Sequence, residues 1–98
     1  MALEQRHHLG RVLRWFPKAG VAEIRLEAAP LAPGQQIEIT GRTTGVVRLC
    51  VPAVHCDDDQ GVTREVDSVP KGGVALVAVA QKVRRGDKVY TITRRMLT

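Results

Sequence analysis

The sequence predicts an all-β domain, a Greek-key β-barrel of six to seven strands, and three observations carry that reading. Apolar residues recur at every second position through most of the chain, the repeat of a strand with one buried face. Turns bearing glycine and proline interrupt these runs at short intervals, as they do in sandwiches and barrels. No segment sustains a helical period; the best candidate, from Asp67 to Lys71, is cut short by Pro70 and Gly72.

The elements follow in order along 98 residues, a length that holds a single domain. A first strand is expected over 9–16, ended by the turn Pro17-Lys18-Ala19-Gly20. In a second, 21–27, Ala22, Ile24 and Leu26 alternate with Glu23 and Arg25. After Pro33-Gly34, Ile37 and Ile39 bracket Glu38 in a third strand over 35–41. Gly41 and Gly45 mark the reversal into a fourth, 46–56. The acidic run Asp57-Asp58-Asp59, closed by Gln60-Gly61, reads as a solvated, mobile loop tip before a short strand at 62–66. Beyond the turn from Pro70 to Gly73, strand 73–80 sets Ala75, Val77 and Val79 on one face. Arg85-Gly86-Asp87 then turns the chain into a last strand, 87–93. Val12, Ile24, Ile37, Ile39, Val77, Val79 and Val89 are the expected core of a barrel over 9–93. The termini, His7 and His8 included, are expected to be short and flexible.

Strand 73–80 departs from the pattern of one wet face. Its outward set, Val74, Leu76 and Ala78, is as apolar as its inward set, the mark of a strand covered on both sides. Val46, Val47 and Leu49 repeat the sign. A barrel has one core, so the second face is expected to meet a partner protein, a second copy in a homodimer, or the tail Met96-Leu97. Val74, Leu76 and Ala78 are therefore protein-interface candidates.

Composition narrows the function. The most apolar charge-free run, 74–81, is far short of the ~20 residues that cross a bilayer, and residues 1–8 hold no apolar signal core. The cytoplasm is the expected compartment and no membrane partner is expected. Two cysteines are too few for a disulfide framework and read as free thiols. Cys50, His55 and Cys56 are the only cluster suggesting metal or nucleophilic chemistry. On one extended strand His55 faces away from both thiols, and the four-ligand set of a closed zinc site is missing. Asp57 to Gly61 lacks the spaced ligands of a calcium loop. Ser68, the only serine, has no histidine nearby in sequence. No catalytic residue, metal or cofactor is expected.

Fifteen Lys and Arg against ten Asp and Glu give +5 and a pI near 9.9, a balance that favours polyanions. Arg11 and Arg14 flank the centre of the first strand, Lys82, Arg84, Arg85 and Lys88 crowd the last turn, and Arg42 adds to them. These seven are the candidate RNA contacts, with Trp15 or Tyr90 able to stack a base.

The order of turns and strands carries a resemblance. Gly10-Arg11-Val12, Phe16-Pro17-Lys18-Ala19-Gly20-Val21-Ala22, Ile37-Glu38-Ile39-Thr40-Gly41 and Arg85-Gly86-Asp87-Lys88-Val89-Tyr90 resemble the translation elongation factor-like family, related to domain two of elongation factor Tu. The chain is also similar to the C-terminal barrel of collagenase-like peptidase proteins, whose members include RNA-modifying enzymes. No phosphate-binding G-x-x-x-x-G-K-[ST] loop is present, so the likeness to a GTPase reaches only its non-catalytic domain. The resemblance implies a non-catalytic adaptor that binds tRNA or rRNA, or a translation or RNA-modification protein. Two alternatives stay open: a self-associating structural module, and the accessory subunit of a separately encoded collagenase-like enzyme.

Overall fold

The computed structural model describes residues 2–96. Eight strands form one antiparallel sheet: β1 (Ala2–Phe16), β2 (Val21–Leu26), β3 (Gln36–Gly41), β4 (Gly45–Cys50), β5 (Val54–Asp57), β6 (Thr63–Val66), β7 (Val74–Ala78) and β8 (Lys88–Met96). No helix occurs among the described residues, so none there is long and apolar enough to cross a membrane.

The all-β expectation holds, but the barrel does not close. The strand order β4-β3-β8-β1-β2-β7-β5-β6 is linear, and no ladder joins β4 to β6. The end strand β6 explains why: Thr63, Arg64 and Glu65 are all exposed, so its side chains gain little from closure and its charges guard a free edge. The strip coils instead, so that Val47 of β4 and Val54 of β5 reach one core. Leu31 and Val69 bridge the connections that seal it, each backbone N–H donating to the other's carbonyl at 2.9 Å. Val12, Ile24, Ile37, Ile39, Val77, Val79 and Val89 are all buried in this core, joined by Leu9, Leu26, Leu31, Val51 and Val83.

Three other boundaries differ from the sequence expectation. The single strand expected at 46–56 is two, β4 and β5, parted at 51–53, where Pro52 has no N–H to offer a ladder. β1 begins at Ala2 and β8 runs to Met96, with Ala2 opposite Met96 and His8 opposite Tyr90. Residues 2–8 are strand rather than a loose lead-in because ions, not apolar burial, hold them: Glu4 meets Arg48 at 2.7 Å and Arg94 at 3.5 Å, and Arg6 meets Glu38 at 2.6 Å. Finally, 57–61 is no plain loop. Asp57 belongs to β5, and the Asp58 carboxylate accepts the N–H groups of Gln60 and Val62, both at 2.9 Å, and Arg64 at 3.0 Å. Leu97, part of the tail considered as a cover for the apolar face, lies outside the described residues.

β1 owes its shape to two bulges, between His8 and Gly10 on the β8 side and between Val12 and Arg14 on the β2 side. Each inserts a residue and so switches which side chains face the core. Val12 and Trp15 pair with Ile24 and Ala22 on the inner face, while Arg11, Arg14 and Phe16 pair with Arg25, Glu23 and Val21 on the outer one. Without the second bulge Arg14 would point into the core.

Candidate functional site

The outer surface carries three distinct arrangements. The first gathers most of the expected basic residues. The β3–β4 reversal and the 82–88 turn meet around Asp87, whose buried carboxylate accepts the Thr44 hydroxyl and the Arg84 N–H, the latter at 2.9 Å. Gly41 lies so close that a Cβ there would sit 2.0 Å from an Asp87 oxygen. The Asp87 pin brings Arg42, Arg85 and Lys88 to one shallow depression and Lys82 and Arg84 to its neighbour. None of these five cations forms an ion pair among the described residues.

Arg11 and Arg14 stand apart from that cluster and are partly neutralised, Arg11 by Glu27 at 3.2 Å and Arg14 more loosely by Glu23 at 4.0 Å. Arg11 nevertheless links the two groups, because its register partners are Lys88 on one side and Arg25 on the other. Arg25, Arg11 and Lys88 thus form a row of three cations across β2, β1 and β8. Like charges directly opposite one another weaken a sheet, and among the described residues only Arg11 of the three has a carboxylate partner, Glu27. Sequence reasoning missed Arg25, having treated it as the wet face of β2; register alone reveals its neighbours.

The second arrangement is an ionic network on the outer face of β4, β3, β8 and β1. Glu38, almost fully buried, accepts Arg6 at 2.6 Å and Arg48 at 2.9 Å. The Arg6 hydrogen bond, joined by that of Arg48, holds its carboxyl below the ordinary range although burial pushes the other way. Arg6 also lies 4.8 Å from the centre of the Tyr90 ring, a cation–π distance. With Arg6 above it, half-buried and edge-on to His8, Tyr90 is occupied internally rather than offered to a base. The network binds strands together; it leaves no open acid or base.

The third is an apolar cleft along the outer face of β7. Leu76 and Ala78 line a groove of about 420 Å³ with Phe16, Val21, Pro52 and Ala53. Val74, the third interface candidate, lines an adjoining hollow of about 260 Å³ that shares Leu76, Glu23 and Asp57 with the first.

The thiols and His55 do not converge. Cys50 is exposed, with its Sγ 3.6 Å from the Gly34 carbonyl, whereas Cys56 packs against the core. The expectation that the two share a face fails because the chain breaks between β4 and β5. His55 turns outward to Glu65 at 3.8 Å. Among the described residues no three His, Cys, Asp or Glu side chains form a metal-holding group.

No protein-family model matches the chain. It is 33% identical over 94 residues to a collagenase of Porphyromonas gingivalis, covering 96% of this chain and 22% of that protein. A stretch of 84 residues is 34% identical to an uncharacterized protease of Methanocaldococcus jannaschii, covering 86% and 19% respectively. The chain is homologous to a part of collagenase-like proteins. It spans about a fifth of the length of these curated relatives. Its fold is that of the C-terminal domain of a putative U32 peptidase from Geobacillus thermoleovorans, with a TM-score of 0.73 at 17% identity over 87% of this chain and 91% of that one. These relatives bear on the collagenase-like resemblance and not on the one to domain two of elongation factor Tu.

Proposed function

We propose that this chain is a non-catalytic accessory module of a collagenase-like U32 protein, a part that holds or presents and does not cleave. The observation that carries the reading is the span of the homology: nearly the whole chain matches about a fifth of each collagenase-like relative, and this chain has the fold of the C-terminal domain of a putative U32 peptidase. The side chains are consistent with this role, since the buried carboxylates serve Thr44, Arg84, Arg6 and Arg48 rather than an open site. The test begins with the P. gingivalis collagenase shortened by its homologous segment and assayed on denatured collagen. Grafting this chain in place of the segment is expected to restore what the deletion removes, while the chain alone turns over nothing. Cleavage by the isolated chain would overturn the reading.

A second reading, RNA binding, is favoured by the row Arg25, Arg11, Lys88 and the unpaired Arg42, Lys82, Arg84 and Arg85 beyond it. Neutralising phosphates would relieve their mutual repulsion and release counterions, so tRNA affinity should fall steeply with salt. Arg84→Glu with Arg85→Glu should weaken binding and flatten that slope. Arg95→Glu, at the far end of β8, is the control; Arg6 is unsuitable because it bonds Glu38. No retention of tRNA at low ionic strength would end this reading.

A further inference from the structure

We propose that the cleft along β7 is the seat on which the remainder of a collagenase-like protein docks, by inserting a bulky apolar side chain flanked by Lys or Arg. This rests on the accessory-module reading. The cleft has a structural origin. β7 pairs with β2 at five consecutive positions, from Val21 opposite Ala78 to Arg25 opposite Val74. It meets β5 at a single one, His55 opposite Leu76. The sheet therefore parts on either side of Leu76, and the two hollows open there. Phe16, 37% exposed, stands at the groove, held outward by the bulge in β1.

Two features specify the occupant. Glu23 and Asp57 line both hollows, so a chain of net charge +5 presents carboxylates around its apolar cleft. Arg14 reaches Glu23 only at 4.0 Å, leaving that carboxylate weakly compensated. An apolar floor with an acidic rim suits an apolar anchor beside a cation and repels phosphate, which separates this face from the cation row. The second feature is what stands next to the corresponding segment in the relatives. About four-fifths of each lies outside it, so in those proteins a large covalent neighbour is available to such a cleft. A groove of this volume falls within the range of about 300–1,000 Å³ typical of clefts that bury a ligand.

The experiment uses the P. gingivalis collagenase lacking its homologous segment as the probe and follows its association with this chain by calorimetry and by mass. Saturable one-to-one binding is expected. Ala78→Arg, at an exposed position that leaves the fold intact as judged by melting, should weaken it by at least about tenfold, the scale of a central interface residue. Glu23→Gln with Asp57→Asn should weaken it less and reduce its salt dependence. Arg84→Glu with Arg85→Glu should bind as the parent does. If the parent binds and Ala78→Arg binds equally, the cleft is not the seat and the accessory role survives. No association of the parent overturns the docking proposal, while the graft assay decides the accessory role separately. A chain that doubles its mass with concentration, and loses this with Ala78→Arg, assigns the cleft to a second copy and overturns the proposal.

Discussion

Gly10→Ala is the sharpest test of the sheet described above. Gly10 lies at the first bulge of β1, buried between Leu26 of β2 and Val89 of β8. A Cβ there would stand 1.7 Å from the Arg25 carbonyl oxygen, 2.9 Å from its carbon and 3.3 Å from the Glu27 nitrogen. These are backbone atoms of β2 and of the residue just after it, so no side-chain rotation relieves the clash and β1 must move away from β2. The displacement strains the two hydrogen bonds that Leu9 accepts from Glu27 and Ala28, at 2.8 and 3.0 Å. Overpacking costs about 1–3 kcal/mol and each of the two lost bonds about 0.5–1.5 kcal/mol, for a total of about 2–6 kcal/mol. Against a stability on the order of 5–15 kcal/mol, that lowers the melting temperature by at least about 8 °C or unfolds the protein. Gly45→Ala is the comparison: its φ is 77° but nothing lies within 4 Å of the added Cβ, so only the left-handed backbone is penalised, by about 1–2 kcal/mol. Thermal melts followed by circular dichroism measure both. A Gly10→Ala protein melting within about 3 °C of the parent would refute the assigned register, since one kcal/mol already shifts a domain this size by about 4–8 °C.

Two further outcomes are expected. Glu4, Glu27, Glu38 and Asp58 are all held below their ordinary titration range: Glu38 by Arg6 and Arg48, Glu4 chiefly by Arg48, Asp58 by the Val62 N–H, and Glu27 by His8 and Arg11 against an opposing push from burial. The folded chain then binds fewer protons than the unfolded one in acid, so their stabilisation is complete above the ordinary glutamate value of 4.5 and fades as pH falls below it. Melts from pH 7 to pH 3 should show this, and Glu38→Gln should flatten the profile. Asp87→Ala removes the acceptor for Thr44 and Arg84, should cost about 2–4 kcal/mol in urea titration, and should speed amide exchange in both 41–45 and 82–88.

The alternation in β2, β3 and β7 made their inner faces and the core legible, because a two-residue period needs only the sequence to be read. The outer faces were legible only in part. Leu76 and Ala78 announced themselves by being apolar where a wet face was due, and both line the cleft. Arg25 gave no signal, because its significance lies in facing Arg11, and register is a property of two strands. β1 hid its arrangement for another reason: two bulges break its period, so no strict alternation could show that Arg11, Arg14 and Phe16 share a face. Closure of the barrel was over-read from the number of strands, since the exposed Thr63, Arg64 and Glu65 make β6 an edge that pairs on one side only. Residues 2–8 lack an apolar stripe, and the carboxylates and guanidinium groups that order them come from β3, β4 and β8.

The placement of β8 between β1 and β3 has a consequence for how the chain acquires its shape. β1 finds β2 across a four-residue turn, and β3 finds β4 across another reversal, so both hairpins close early and locally. No strand ladder joins the two hairpins until residues 88–96 arrive, because β8 alone pairs with both β1 and β3. A ribosome-bound chain that has not yet released this segment holds two separate ribbons with a shared core still open to water. Loop closure over such separations is slow compared with hairpin formation, so the insertion of β8 is the expected slow step. Chains stalled or clipped before Val89 would carry that exposed apolar surface to chaperones and proteases.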